Sequence, residues 1–345
     1  MKEISVVILN WNGCNYLEKF LPSVISYSKD ARIILADNAS TDESVTFVKN
    51  NFPTVEIVIN SSNGGFAKGY NDALKKIDSP YYLLLNSDIE VTEGWLDPLL
   101  ERMKYESVAG CQPKVLSYNN QQHFEHAGAS GGFLDVDFFP FCRGRIFDSI
   151  EEDKNQHDSS IEVFWATGAA LLIRSDVFHK LGGFDESFFA HMEEIDLCWR
   201  AKKMGYSFYV EPKSVVYHVG GGTLSYMSPR KTYLNFRNSL YMIVKNYDGL
   251  LFPKIFVRMC LDGVAGIRFL LKGELKNLWA VLTSHFSMYA NLRTLLHKRK
   301  EIKKLSKTPN NNGFYKGSIL WAYYFKRIGK FNDLNQRLFI TDKNK

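Results

Sequence analysis

Over its first hundred or so residues the chain repeats one local pattern four times: a short β-rich apolar run, a turn, then a helical stretch. The apolar runs fall at residues 5–9, 32–36, 55–59 and 81–85, the helical patterns at 16–28, 44–50, 69–76 and 95–105. Turn chemistry at Asp37-Asn38, Asn63-Gly64-Gly65 and Ser79-Pro80 separates them. Strands that alternate with helices cannot pair as hairpins. They predict a mostly parallel sheet with helices on its faces, an α/β class, with ligands expected at the carboxyl ends of the strands.

Those carboxyl ends are polar in this chain. The first run ends in Asn10-Trp11-Asn12-Gly13, the second in Asp37-Asn38, the third in Asn60 leading to SNGGFAKGYN, and the fourth in Asn86-Ser87-Asp88. Each alone is an ordinary turn former. At four successive exits they predict one ligand crevice. Gly64, Gly65 and Gly69 do not make a dinucleotide fingerprint, which belongs after the first strand, and a Rossmann dehydrogenase is not expected on that ground. Glycines here let backbone approach a ligand closely.

Further on, FWATGAALLIRSDVF (164–178) reads as a buried strand running into a helix start. After the Gly182-Gly183 turn a helical pattern begins at Met192. Glu193, Asp196 and Arg200 share one helix face, with Glu194 beside them. Three acids in four residues exceed what a helix dipole favours. Phe188, Phe189, Ile195 and Trp199 surround them with apolar bulk that would raise a carboxyl pKa toward that of a useful base. The stretch SVVYHVGGGT is a last strand carrying His218 into the glycines Gly220–Gly222, and imidazole with carboxylate oxygen suits a divalent ion.

Charge divides the chain. Residues 1–225 carry 20 Lys and Arg against 31 Asp and Glu, a balance of −11, whereas residues 226–345 carry 23 against 6, a balance of +17. An acidic half suits cations and hydroxyl-rich ligands, a basic one anionic lipid or nucleic acid. No nucleic-acid recognition motif accompanies the basic half, so nucleic acid is not expected as a partner. The cysteines at 14, 111, 142, 198 and 260 are odd in number and scattered, which fits reduced thiols on a cytoplasmic face. The first residues have no signal-peptide pattern.

Taken in order, VVILNWNG, ILADNASTDES, NGGFAKGYN, LLLNSDIEV, TGAALLIR, GGFDESFFAHMEEIDLCWRAKKMGY, VVYHVGG and YLNFRN span roughly residues 4–240. The ordered set resembles glycosyltransferase family 2, the inverting nucleotide-sugar transferases of GT-A fold, and most of all its rhamnosyltransferase- and galactofuranosyltransferase-type branch. The resemblance implies a catalytic domain over residues 1–225. It also implies a divalent metal, magnesium or manganese, held on the donor diphosphate by Asp88 and His218, with Asn86 standing where the family's first Asp stands. It places Asn10, Asp37, Asn38, Asn63, Gly65, Lys68, Asn71 and Ser87 around the nucleotide-sugar donor. Glu194 matches the general base, although the family more often has Asp there, which leaves Glu193 as a second candidate. His191, Asp196, Trp199 and Arg200 fall on the acceptor side, Asp196 and Arg200 alternatively bracing the helix. The expected partners are a nucleotide-diphosphate sugar and a glycan acceptor, lipid-linked, in surface polysaccharide synthesis. Two rivals stand beside this reading: a nucleotidyltransferase, which would need a basic loop after the first strand that residues 11–15 lack, and a silent sugar binder.

Residues 226–345 read as a helical region. In 254–272, Lys254, Arg258, Asp262, Arg268 and Lys272 share roughly a third of the helical circle, with Phe256, Met259, Cys260, Val264, Ile267 and Leu271 away from it. A second apolar–aromatic helix over 277–307 ends in a basic cluster. Neither has the ~20 apolar residues of a span. Two arrangements fit: an appendage packing its apolar face on the catalytic domain, or a helix pair lying in the inner leaflet with its basic face on anionic headgroups. The second makes the chain peripheral on the inner face of the plasma membrane.

Overall fold

A computed structural model describes residues 3–125, 128–220 and 228–341. The expected alternation is present as β1 (Ile4–Asn10), α1 (Cys14–Tyr27), β2 (Arg32–Asp37), α2 (Ser44–Asn51), β3 (Glu56–Ile59), α3 (Gly65–Leu74), β4 (Tyr81–Asn86), β5 (Ile89–Val91) and α4 (Leu96–Met103). Next come β6 (Val108–Ser117), the short strands β7 (Gly132–Leu134), β8 (Pro140–Cys142), β9 (Arg145–Ile146) and β10 (Ser149–Ile150), then β11 (Ile161–Val163) and β12 (Ala170–Arg174). The acidic half closes with α5 (Ser175–Lys180), α6 (Glu193–Lys203) and β13 (Ser207–His218).

The main sheet has the order β11-β13-β6-β12-β4-β1-β2-β3, with β5 paired to β13. Strands β4, β1, β2 and β3 are mutually parallel. β12 runs antiparallel between β4 and β6, which brings β6 and its parallel neighbour β13 back to the direction of β4. The carboxyl ends of β1, β2, β4, β6 and β13 therefore lie along one edge, joined there by the start of β12. Val6, Ile34, Leu35, Leu83, Leu84, Leu85, Leu171 and Leu172 are fully buried, as strands covered on both faces require.

A second sheet, β10-β9-β8-β7, was not foreseen. Its strands are two or three residues long and are held by an aromatic cluster rather than by a ladder: Phe133 and Phe141 pack on Phe331 and Phe339 from the far end of the chain. The segment near residue 310 returns to the same body, with Asn310 and Asn312 donating to Glu162 at 2.6 Å each.

The basic region is helical: α7 (Pro229–Asn246), α8 (Leu251–Leu271), α9 (Leu275–Ala290) and α10 (Leu292–Leu305). The single helix expected over 277–307 is broken at Asn291, whose side chain donates to the Ser287 carbonyl. The larger difference is the orientation of α8. Lys254, Arg258 and Asp262 face the catalytic body, and the apolar side faces away. On α8, therefore, the charged side packs inward, whereas Val281 and Met288 of α9 and Leu295 and Ile302 of α10 are buried apolar residues. Gly221 and Gly222, in the loop expected after His218, lie outside the described residues.

Candidate active site

Strand β4 delivers Asn86, Ser87 and Asp88 to the shared edge, and β13 delivers His218 to it 130 positions later. His218 Nε2 lies 3.1 Å from Asp88 Oδ1, and its Nδ1 lies 3.1 Å from Glu125 Oε2. Burial disfavours a charged imidazole, yet the flanking carboxylates of Asp88 and Glu125 outweigh it and lift the His218 pKa to about 10. With both ring nitrogens protonated, the Asn86 side chain 3.4 Å from Nε2 is better placed with its oxygen toward the ring than its NH2; a divalent ion at Nε2 would displace the proton there, leaving Nδ1–H donating to Glu125. Nothing in the sequence marked Glu125. It follows β6 in a stretch without a motif, and only the pairing with His218 gives it meaning.

Among the described residues no three His, Cys, Asp or Glu side chains form a ready metal cage. The donors that are present nonetheless fit a divalent ion. Around an octahedral ion with bonds of about 2.1 Å, adjacent donor atoms sit about 3 Å apart. Asp88 Oδ1 and His218 Nε2 have that spacing, the Asn86 amide adjoins them, and Glu125 holds the other ring nitrogen as an orienting partner. Two strong donors and an amide leave positions for a ligand's own oxygens.

Beside this cluster the exits of β1, β2 and β3 form a continuous amide network. Asn10 donates to Asp37 Oδ1 at 3.2 Å and to Ser40 Oγ at 3.1 Å, and its own Oδ1 is buried without a partner among the described residues. A Cβ on Gly13 would come within 2.5 Å of that oxygen, so glycine lets the chain turn closely over Asn10 where the β1 exit passes Ser87 of the β4 exit. Asn38 donates to Asn63 Oδ1 and to the Gly65 carbonyl, both at 3.0 Å, and accepts from Asn60. Gly65 sits at φ +77°, where a Cβ would strike the Phe189 carbonyl. Lys68 is engaged by Asp72 at 2.6 Å. Asn71 is buried, and both ends of its amide hold the Phe184 backbone at 2.9 Å.

Glu193 and Glu194 open α6 on the other side of the edge. Gly168 abuts the Glu194 Cβ, and the next residue, Ala169, accepts a 2.9 Å bond from the Asn86 backbone N–H, so one short segment touches both Glu194 and the strand end that carries Asn86 and Asp88. Glu194 is half-buried, but its Oε2, like that of Glu193, has no partner among the described residues and no access to water. Burial pushes the Glu194 carboxyl up to about 7. Burial first, then the neighbouring Glu194 charge, raises Glu193 well above the usual carboxylate range.

The loop that aims α6 is strained. Phe189, His191 and Met192 all have left-handed φ, from 65° to 73°, and none is glycine. Helix α7 restrains it: the Asn238 amide donates to the carbonyls of Phe188, Ala190 and His191 at 2.7–3.0 Å, and Arg237 to those of Ser187 and Phe188. Asp196, Trp199 and Arg200 lie within the body. Asp196 is paired with Arg200 and Lys245 at 2.8 Å each, and Trp199 stacks on Phe138. Bracing is the work their contacts describe.

The sequence model of glycosyl transferase family 2 matches residues 5–182. The chain belongs to glycosyltransferase family 2. Sugar transfer is thereby its activity. Among family 2 relatives, the N-acetylglucosaminyl-diphospho-decaprenol L-rhamnosyltransferase of Mycobacterium tuberculosis (strain ATCC 25618 / H37Rv) is 24% identical over 237 residues, covering 64% of this chain and 77% of that protein. Rhamnosyltransferase WbbL of Escherichia coli (strain K12) is 23% identical over 226 residues, covering 61% and 80%. GalNAc-T7, solved with UDP, GalNAc and Mn2+, superposes with a TM-score of 0.56 at 16% identity over 72% of this chain, which spans 49% of that one. The mannosyltransferase PcManGT from Pyrobaculum calidifontis, in complex with GDP-Man and Mn2+, gives 0.50 at 14% identity, covering 88% and 85%. These likenesses establish the GT-A fold. No helix among the described residues is long and apolar enough to cross a membrane.

Proposed function

We propose that this family 2 enzyme is an inverting, metal-dependent transferase of the rhamnosyltransferase type. It moves a sugar from a nucleotide-diphosphate donor to a hydroxyl of a lipid-linked glycan during surface polysaccharide synthesis, working on the inner face of the plasma membrane. The observation that carries the reading is the meeting of Asp88 and His218 at 3.1 Å on the same sheet edge as the Asn10, Asp37, Asn38 and Asn63 network. The name of the mycobacterial relative contains a diphospho-decaprenol acceptor, which supports the lipid-linked substrate.

Asp88 and His218, with the Asn86 oxygen, would hold the divalent ion, and the ion would supply positive charge to the departing diphosphate. Asp37 and Asn38 line the nucleoside side, while Gly65 and Asn63 keep backbone close to the donor. Glu194 accepts the proton of the acceptor hydroxyl as that oxygen attacks the anomeric carbon, and the bond from that carbon to the diphosphate oxygen breaks with its electron pair leaving on the nucleoside diphosphate. One displacement inverts the centre. Burial and the neighbouring Glu194 charge hold the Glu193 carboxyl well above the usual carboxylate range.

Glu194→Gln tests the assignment. Donor-induced thermal stabilisation in the presence of magnesium or manganese is expected to persist, while transfer falls at least about a hundredfold. Turnover at the parent rate would remove Glu194 from the reaction. Asp88→Asn should abolish the metal-dependent part of donor stabilisation; if it does not, the ion binds elsewhere.

A further inference from the structure

Helices α8 and α9 form a hairpin around Gly273, packed closely enough at Gly266 that a Cβ there would meet Leu278 at 3.2 Å. Along α8 the usual sidedness is reversed. Lys254 donates to the Val136 carbonyl and to Asp137 at 2.9 and 3.0 Å. Arg258 is buried, paired with the buried Asp262 at 2.9 Å, and stands 3.8 Å above the Phe139 ring. The charges of these turns are spent on the catalytic body. What faces outward is apolar: Phe252 (70% exposed), Phe256 (69%), Val264 (64%) and Leu271 (82%) on α8, with Trp279 (64%) and Phe286 (68%) on α9.

Before α7, exposed large apolar side chains among the described residues are scattered, as at Trp11, Ile59 and Tyr105, whereas here they share one helical hairpin, and monomers seldom leave so many large side chains together in water. Something covers this face, and the charges beside it identify what. Arg268, Lys272 and Lys276 are exposed, each next in sequence to an exposed apolar residue, and Arg268 bonds Tyr324, tying in the exposed, stacked pair Trp321 and Phe325 and the neighbouring Lys326 and Arg327. The acids of the hairpin do not balance them. Asp262 is buried against Arg258, and Glu274 sets one negative charge against the three cations. A second copy docking through the same face would bring one cationic rim against another. An anionic leaflet supplies the opposite charge at the rim and acyl chains at the centre.

We propose that the α8–α9 hairpin, with the Trp321–Phe325 turn, lies in the surface of an anionic bilayer, apolar side down and Arg268, Lys272 and Lys276 among the headgroups. The localisation above rests on this surface, whereas the surface stands independently of the transfer chemistry. Helix α7 links the two: its Tyr241 hydroxyl meets Ser287 of α9 at 2.9 Å, and its Asn238 grips the loop before Glu194.

The test is flotation of the full chain with phosphatidylcholine vesicles lacking or containing phosphatidylglycerol. The parent chain should float with the anionic vesicles, with a blue shift in tryptophan emission. Arg268→Glu/Lys272→Glu/Lys276→Glu and, separately, Phe256→Ser/Trp279→Ser/Phe286→Ser should each weaken partition at least about a hundredfold. Every altered residue is exposed, so circular dichroism and donor hydrolysis in lipid-free buffer should be unchanged. That hydrolysis reads the active site alone, so its loss in the parent chain would strike the proposed reaction and not the surface. Failure of the parent chain to float, equal flotation of the variants, or a lipid-free dimer that the apolar variant converts to monomer would overturn the inference.

Discussion

Asn238→Ala removes one buried amide and should cost most of the enzyme's rate. That amide has two hydrogens for three carbonyls, of Phe188, Ala190 and His191, so two hydrogen bonds count at any moment. Each is worth about 0.5–1.5 kcal/mol net, and a carbonyl left buried without a donor costs about 1–3 kcal/mol. The same segment stores strain at Phe189, His191 and Met192, on the order of 1–2 kcal/mol per residue, which favours release once the clamp is gone. A local loss of about 2–3 kcal/mol is the result, while the core strands keep their packing. Helix α6 begins at the residue after Met192, so release of the loop moves Glu194 directly. At about 1.4 kcal/mol per decade, kcat/KM should fall roughly 30- to 150-fold. The part of donor stabilisation that rests on Asn10, Asp37 and Asp88 should persist, because those residues sit on other elements, although Gly65 abuts the released Phe189 carbonyl. A merely structural defect would lower the folded fraction and nothing else. The positioning role makes a further demand: burial raises the Glu194 pKa, so a loosened and better hydrated carboxylate must titrate lower, and the acid limb of the pH–rate profile must shift down. Asn238→Asp should be no better, since a carboxylate has no hydrogen to offer three carbonyls. An Asn238→Ala enzyme that is folded, with parent rate or with an unmoved acid limb, would refute the reasoning.

Two further outcomes follow from the same geometry. In the parent enzyme kcat/KM should rise with pH through about 7 and level off above it, because the base works ionised and its raised pKa keeps it protonated below that point; a profile flat from pH 5 to 8 would contradict it. Asp196→Asn, read by thermal or urea denaturation, should destabilise by about 3 kcal/mol, since it leaves Arg200 buried with only the Leu181 and Gly183 carbonyls, while Lys245 keeps Asp185 at 2.6 Å. Burial raises the Asp196 pKa, but Lys245 and Arg200 more than reverse that and hold it below its usual value. Its contribution is therefore present above the unfolded pKa and is lost as pH falls through the acidic range, an acid sensitivity that Asp196→Asn should reduce.

The parallel half of the sheet was legible because its signals are local. Residues 5–9, 32–36 and 81–85 are apolar runs with turn formers at both ends, and the observed strands differ from them by a residue or so. The polar exits were legible for the same reason, as was the pairing of position 88 with position 218, which needed the family's motif order in addition. Residues 118–163 offered nothing comparable. Strands of two or three residues carry no periodicity, and the Phe331 and Phe339 rings that hold them come from nearly two hundred residues away. Glu125 and Asn238 escaped for a related reason. Each is an ordinary polar residue until a distant strand or loop brings it an imidazole or a set of carbonyls.

Helix α8 marks a limit of a different kind. Its sequence separates Lys254, Arg258 and Asp262 from Phe256, Val264 and Leu271 clearly enough to fix two faces, but sidedness has no sign: a stripe of charge can meet water or meet a partner. Two things decide it here. The body offers Asp137 and the Val136, Asp137 and Phe138 carbonyls at the positions where Lys254 and Arg258 arrive, and Asp262 supplies the second Arg258 partner from one turn along the same helix. Satisfying those donors inside makes burial of the charges tolerable, since a buried cation is costly only while unpaired. The apolar face is then left outside by elimination, and the free energy it loses to water is recovered only where water is replaced. A helix built this way is stable on the catalytic body, and under the bilayer proposal the lipid supplies the nonpolar medium that its outer face lacks.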